Sequence, residues 1–145
     1  MRIAVIADTH NRVSDRVRDA ISGADEIWHL GDVCEPAILE SLKKLGPPLR
    51  VVRGNCDSNE EWPLTLDFEL EGFQIQLIHI PPRKAPAGCA LLFHGHTHVP
   101  RDETIGGTRY LNPGCITRPN RGAPASFAWL ELEENQPLNW SLVRV

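Results

Sequence analysis

The sequence predicts an α/β fold in which a parallel sheet opens the chain and a second, largely antiparallel sheet follows it. Three observations carry this. Up to residue 53, apolar β-rich runs alternate with stretches of helical periodicity. Beyond about residue 63 the segments become short and β-rich, with glycine turns between them. Each of the early runs stops at an aspartate or asparagine.

Residues 2–7 (RIAVIA) form a continuous β-rich apolar run, as expected of a strand covered on both faces, and Asp8 stands at its end. Val17, Ala20 and Ile21 then recur at helical spacing after Ser14, a good N-cap residue, which predicts a helix over 14–22. The pattern repeats with a strand over 26–30 ending at Gly31-Asp32, and a helix over 36–45 closed by Gly46-Pro47. A strand over 49–53 follows and ends at Gly54-Asn55. Strand–helix–strand order implies parallel pairing, which collects the strand-end residues on one edge of the sheet. Residues 64–70 and 73–78 flank Glu71-Gly72, and Ile105 and Thr108 flank Gly106-Gly107, so both read as hairpins. The tail, 126–131 and 138–145, is expected to join this second sheet and to offer an edge for self-association, making a homo-oligomer a candidate state. Residues 81–88 hold three prolines and predict a loop beside His79.

The chain has 145 residues and a formal charge of −4, enough length for one core and the wrong sign for coating nucleic acid or an anionic membrane. A nuclease is disfavoured for the same reason, since there is no basic stripe. Cys34, Cys56, Cys89 and Cys115 show no Cys-x-x-Cys spacing, and no apolar run is long enough to span a bilayer. Free thiols and a cytoplasmic location are expected.

The polar strand ends carry the chemistry. Asp8-Thr9-His10, Gly31-Asp32, Gly54-Asn55, His79 and Gly95-His96-Thr97-His98 place seven oxygen and nitrogen donors in five stretches. A hydrophobic core has no use for them. A pair of divalent cations that must be held while leaving room for a phosphate requires such a mixture. Each stretch alone also has an ordinary reading: Asp32 as an N-cap, Asn55 as a turn residue, Thr97 as a spacer.

In this order the blocks, with Gly54-Asn55-Cys56-Asp57 in the third, resemble the calcineurin-like metallophosphoesterase superfamily. The resemblance runs from Asp8 to Asn112-Pro113-Gly114, and is similar to the compact prokaryotic phosphodiesterase branch. It implies one domain over 1–145, with two mixed β-sheets packed as a sandwich flanked by helices (αββα). It also implies two divalent metal ions, manganese first, with iron, zinc or nickel also suited. One ion would take Asp8, His10, Asp32 and His98, and the other Asp32, Asn55, His79 and His96, with Asp32 shared. The implied reaction is hydrolysis of a small phosphodiester, monoesters second, by a hydroxide held between the ions. The residues implied at the reacting phosphate are Asp32, Asn55, His10 and Cys56, with substrate contacts from Asn55, Arg83 and Arg118. Arginines in such loops are more often simply solvated.

The chain departs from the superfamily pattern at Cys56, where many members carry a histidine able to protonate the leaving oxygen. A neutral thiol is a poor acid, so leaving groups that depart unaided should be favoured, with a penalty of roughly 10²–10⁴-fold for the others. Cys56 can equally be a small buried residue tightening the turn. The connections on either side of His79 are short, which predicts an open site. His29 and His94 are expected to support the ligands rather than bind, and Asp57 to orient its turn. Trp28, Trp62, Trp129 and Trp140 read as core or interface. The alternative to an enzyme is a scaffold of the same fold that binds a protein partner. Such chains typically lose a ligand histidine, and none is missing here.

Overall fold

The computed structural model describes residues 1–145 and contains two mixed five-stranded sheets with two short helices. The opening is as the sequence predicts: β1 (Arg2–Ile6), α1 (Asp15–Ile21), β2 (Glu26–His29), α2 (Ala37–Lys43) and β3 (Leu49–Val51). β1 and β2 pair in parallel, as do β2 and β3. The Ser14 hydroxyl accepts the Val17 N–H and caps α1. Each helix has seven residues, too few to persist alone, so packing holds them.

The second sheet comprises β4 (Thr65–Leu70), β5 (Phe73–Ile78), β6 (Leu91–Phe93), β7 (Arg101–Ile105) and β8 (Thr108–Asn112), in the order β4-β5-β6-β8-β7. Both expected hairpins form. Their two-residue turns, Glu71-Gly72 and Gly106-Gly107, have positive φ at both positions, the conformation whose twist suits a tight hairpin. The expectation of a largely antiparallel sheet is corrected at its centre, where β5, β6 and β8 run parallel. β6 is three residues long and went unannounced in the sequence pattern.

The tail is also corrected. β9 (Ser126–Glu131) and β10 (Asn139–Arg144) join the first sheet, not the second, giving β10-β9-β1-β2-β3. β9 pairs antiparallel with β1 because it presents two apolar faces. Phe127 and Trp129 pack with the helices, and Leu130 packs toward the second sheet. β10 is left as the edge strand.

Alternation along the strands builds two cores. Ala4, Ile6 and Ile27 face α1 and α2, where Val17, Ile21, Leu39 and Leu42 cover them. Ile3, Val5, Trp28 and Leu30 face the second sheet and meet Leu77, Phe93 and Leu111. Trp28 is fully buried there, edge-on to Phe68 at 5.5 Å and to Phe93 at 5.3 Å, so the core reading of this tryptophan holds. Both helices lie on the outer face of the first sheet. On the outer face of the second, the loop after β5 lies over Tyr110, whose hydroxyl accepts the Ala85 N–H at 3.1 Å. No helix is long and apolar enough to cross a membrane.

Candidate metal centre

The sandwich brings the carboxyl ends of β1, β2, β3, β5 and β6 to one edge, and the seven predicted donors meet there. Two overlapping groups form. His98 Nε2 lies 3.4 Å from Asp8 Oδ1, and His10 Nε2 lies 3.8 Å from both Asp8 Oδ1 and Asp32 Oδ2. On the other side His79 Nε2 lies 3.4 Å from Asp32 Oδ1 and 3.0 Å from Asn55 Oδ1, which His96 Nδ1 approaches at 3.1 Å. Asp32 directs one oxygen to each group. The floor, Asp8, Asp32 and His79, is buried, while Asn55 and His96 at the rim are exposed.

The imidazoles are held in the form a cation requires. His79 Nδ1–H donates to the Leu30 carbonyl at 2.7 Å, and His98 Nδ1–H donates to the Arg118 carbonyl at 2.6 Å. Each bond leaves the Nε2 lone pair aimed into the site. His10 Nδ1 lies 3.5 Å from Cys34 Sγ, and its Nε2 faces that of His98 at 3.3 Å. At least one of these facing nitrogens brings only a lone pair to the contact. Asp8 Oδ1 has no hydrogen-bond donor although it is fully buried. An orphaned buried carboxylate oxygen ringed by imidazole nitrogens is costly unless a cation joins them. The donor set therefore fits divalent metal ions.

Electrostatics agree. Burial raises Asp8 from 3.8 to about 6, against the pull of His79 and His98. Burial also presses Asp32 upward, but the His79 hydrogen bond and the Cys56 N–H outweigh it and hold the carboxyl well below its usual range. His79 is raised, because Asp32 and Asp8 overcome its burial. Burial lowers His10, with Asp32 opposing and the charges of His98 and Arg118 adding to the effect.

Backbone strain concentrates here. Of ten non-glycine residues with left-handed φ, seven sit in the ligand turns: Asp8, His10, Asn11, Asp32, Cys34, His96 and His98. At Asp8, His10, Asp32, His96 and His98 the strain accompanies side chains turned out of the pleat toward the common centre. Two glycines let the turns meet. A Cβ on Gly54 would overlap the Asp32 carboxylate, and one on Gly31 would lie 2.8 Å from both Gly54 N and His79 Nδ1. At Gly31 the close neighbour is therefore the Gly54 backbone and the His79 ring.

A supporting layer fixes these turns. Asp57 accepts N–H groups from Asp32 at 2.9 Å and Gly54 at 2.8 Å through Oδ2, and from Cys34 at 2.8 Å through Oδ1. The Gly31 N–H donates to His29 Nδ1, so its Nε2–H points at the Thr9 hydroxyl 3.0 Å away, between the ligands Asp8 and His10. His94 Nδ1–H donates to the Gly95 carbonyl. The Asn112 side-chain N–H₂ donates to the Gly95 carbonyl and the Thr97 hydroxyl, tying down the turn between His96 and His98. The Asp8 carbonyl accepts from Cys115 Sγ and Thr117 Oγ1, two residues that sequence reasoning missed. It also missed Cys34, which stands two residues after Asp32 as His10 does after Asp8; a lone cysteine at that offset carries no separate signal.

Cys56 is exposed at the rim, with its thiol raised by burial of its sulfur and by Asp32. It is thus not the buried turn-filler considered as its alternative role. Arg118 is brought beside the site, where its carbonyl accepts the His98 Nδ1–H. Arg83 lines a groove with Lys84 and Ile105–Thr108, beside the loop that folds over Tyr110. A cleft of about 570 Å³ opens beside His96, and is lined by His94, Thr97, Arg101, Asn120 and Arg121.

Residues 1–135 match the calcineurin-like phosphoesterase superfamily domain. A probable metallophosphoesterase of Methanothermobacter thermautotrophicus is 34% identical over 143 aligned residues, spanning 86% of this chain and 83% of that protein. The phosphodiesterase YfcE of Escherichia coli is 31% identical over 161 aligned residues, spanning 90% of this chain and 88% of its own. The solved structure of YfcE, described as a phosphoesterase, superposes with a TM-score of 0.79 at 27% identity, with both chains covered in full. Vps29 of Entamoeba histolytica shares the fold, with a TM-score of 0.79 at 22% identity over 99% of each chain.

Proposed function

The chain belongs to the calcineurin-like phosphoesterase superfamily, and from that premise we propose that it is a binuclear metal-dependent phosphohydrolase acting on phosphodiesters, with monoesters second. The observation that carries the reading is the buried, donor-less Asp8 Oδ1 among imidazoles already oriented toward it. Asp8, His10, Asp32 and His98 would hold one ion, and Asp32, Asn55, His79 and His96 the other, manganese foremost. Such ions would supply Lewis-acid charge to the phosphate and lower the pKa of water from 15.7 toward about 7.

The chain's own residues supply the rest. Asp32, ionised and tied by the Cys56 N–H, offers negative charge to both donor groups and fixes their separation. The Leu30 and Arg118 carbonyls keep His79 and His98 in the tautomer that donates lone pairs inward. Asn55, neutral and at the rim, presents its amide toward the open face, where a phosphate oxygen would approach. The polar cleft beside His96 suits the ester's non-reacting arm. Cys56 stands at the rim as a protonated thiol, a weak acid for an alkoxide. Activated esters are therefore the preferred substrates.

The test is hydrolysis of bis(4-nitrophenyl) phosphate by protein stripped of metal and then reloaded with manganese. Turnover is expected only after reloading, and Asp32→Ala is expected to lose both manganese and turnover. Manganese-loaded wild type without activity on any phosphate ester would leave the fold as a binding scaffold. Wild-type turnover in Asp32→Ala would overturn the ligand assignment.

A further inference from the structure

A second cluster lies on the outer side of His10. A ring nitrogen of His10, Cys34 Sγ and Cys56 Sγ are all within 4.8 Å of one another, and Cys34 Sγ is 3.5 Å from His10 Nδ1. Neither thiol is used by the proposed mechanism as a ligand. The two backbones are pinned side by side at the ends of the paired strands β2 and β3. Asp57 Oδ1 accepts the Cys34 N–H, and Asp32 Oδ1 accepts the Cys56 N–H, at 2.8 and 2.9 Å. Cys56 is exposed and Cys34 half-buried, so an oxidant can reach the first and the second can resolve it.

We propose that Cys34 and Cys56 are a modification site: a dithiol that a small-molecule disulfide oxidises to an intramolecular disulfide, withdrawing Cys34 from His10 and weakening the metal centre. The Cys56 thiolate attacks one sulfur of the oxidant, releasing one equivalent of thiol and leaving a mixed disulfide. The Cys34 thiolate then attacks Cys56 Sγ and expels the second equivalent. One disulfide is reduced, one is formed, and the two protein protons leave on the two released thiols. The sulfurs close from within 4.8 Å to about 2.05 Å. Rotation of the two side chains is the movement the cross-link requires, and it removes the sulfur that His10 Nδ1 faces. Outer partners of this kind are worth roughly 10–100-fold in metal affinity. The exchange is run in excess oxidant so that it goes to completion.

The cross-link is independent of the phosphoesterase reading, whereas its effect on metal rests on it. Manganese-loaded protein is incubated with excess oxidised glutathione, quenched in acid, alkylated and digested with trypsin. Cleavage after Lys43 and Arg53 separates the two cysteines, and the fragments 19–43 and 54–83 contain no other. The expected product is these fragments joined, two hydrogen atoms lighter than their sum and released by dithiothreitol. The same joined product is expected from Cys89→Ser, while Cys34→Ser retains glutathione on Cys56. Manganese is expected to bind the cross-linked protein at least tenfold more weakly than the reduced protein. A stable glutathione adduct on Cys56 of the wild type, or no reaction at either cysteine, overturns the dithiol. Equal manganese affinity in the two forms overturns the coupling to His10. Failure of the reduced protein to bind manganese at all points instead to the ligand assignment.

Discussion

Replacing Asp57 by alanine isolates the layer that aims the ligands without removing a ligand. Its carboxylate accepts three backbone N–H groups, from Asp32, Cys34 and Gly54. Two of these residues are buried, so water cannot replace the carboxylate freely there. Leaving a buried donor unsatisfied costs about 1–3 kcal/mol, and the half-buried position of Asp57 moderates the total to about 3 kcal/mol. For a chain of this size that corresponds to a fall in Tm of roughly 6–12 °C. The same change frees the turn that carries Asp32 and the turn that carries Asn55, so manganese affinity should fall by about 10–100-fold. Differential scanning fluorimetry and a manganese titration measure the two effects. Asp57→Asn, which keeps one acceptor oxygen, should lie between alanine and wild type in both. A Tm within 2 °C of wild type, or wild-type manganese affinity in the alanine variant, would refute the claim that Asp57 organises the centre.

Three further expectations follow from the same geometry. Burial holds His29 neutral, lowering it from 6.5 to about 3, so the unfolded chain takes up its proton first as pH falls. Its contribution is complete above about pH 6.5 and is lost toward pH 3 by up to about 1.4 kcal/mol per pH unit. Chemical denaturation at pH 7 and pH 4 should show a smaller acid loss in His29→Asn than in wild type, and equal losses would exclude the mechanism. Asp8→Asn should stabilise the metal-free protein at pH 8 by up to about 3 kcal/mol, since burial raises Asp8 from 3.8 to about 6 despite His79 and His98, and its Oδ1 has no hydrogen-bond donor. The variant should lose the Tm increase that manganese gives wild type, and a metal-free variant less stable than wild type would count against it. Gly54→Ala places a methyl group on the Asp32 carboxylate. It should reduce manganese affinity and turnover by at least tenfold, and retention of both would show that the Asp32 turn yields readily.

The sequence by itself determined the opening parallel sheet and both tight hairpins, and its strand ends pointed to the seven side chains that converge at one edge, because each of these rests on a local signal. Apolar runs mark strands, glycine pairs mark turns with positive φ, and polar residues at strand ends have no place in a core. Cys34, Cys115 and Thr117 lay outside such signals. So did the pairing of β9 with β1. Their positions follow from contacts between segments distant in the chain, where Phe127 and Trp129 meet the helix layer and Leu130 meets the second sheet. Only the tertiary structure decided these, because a strand's partner is chosen by which two faces it can bury at once, and periodicity along one segment does not encode the neighbour.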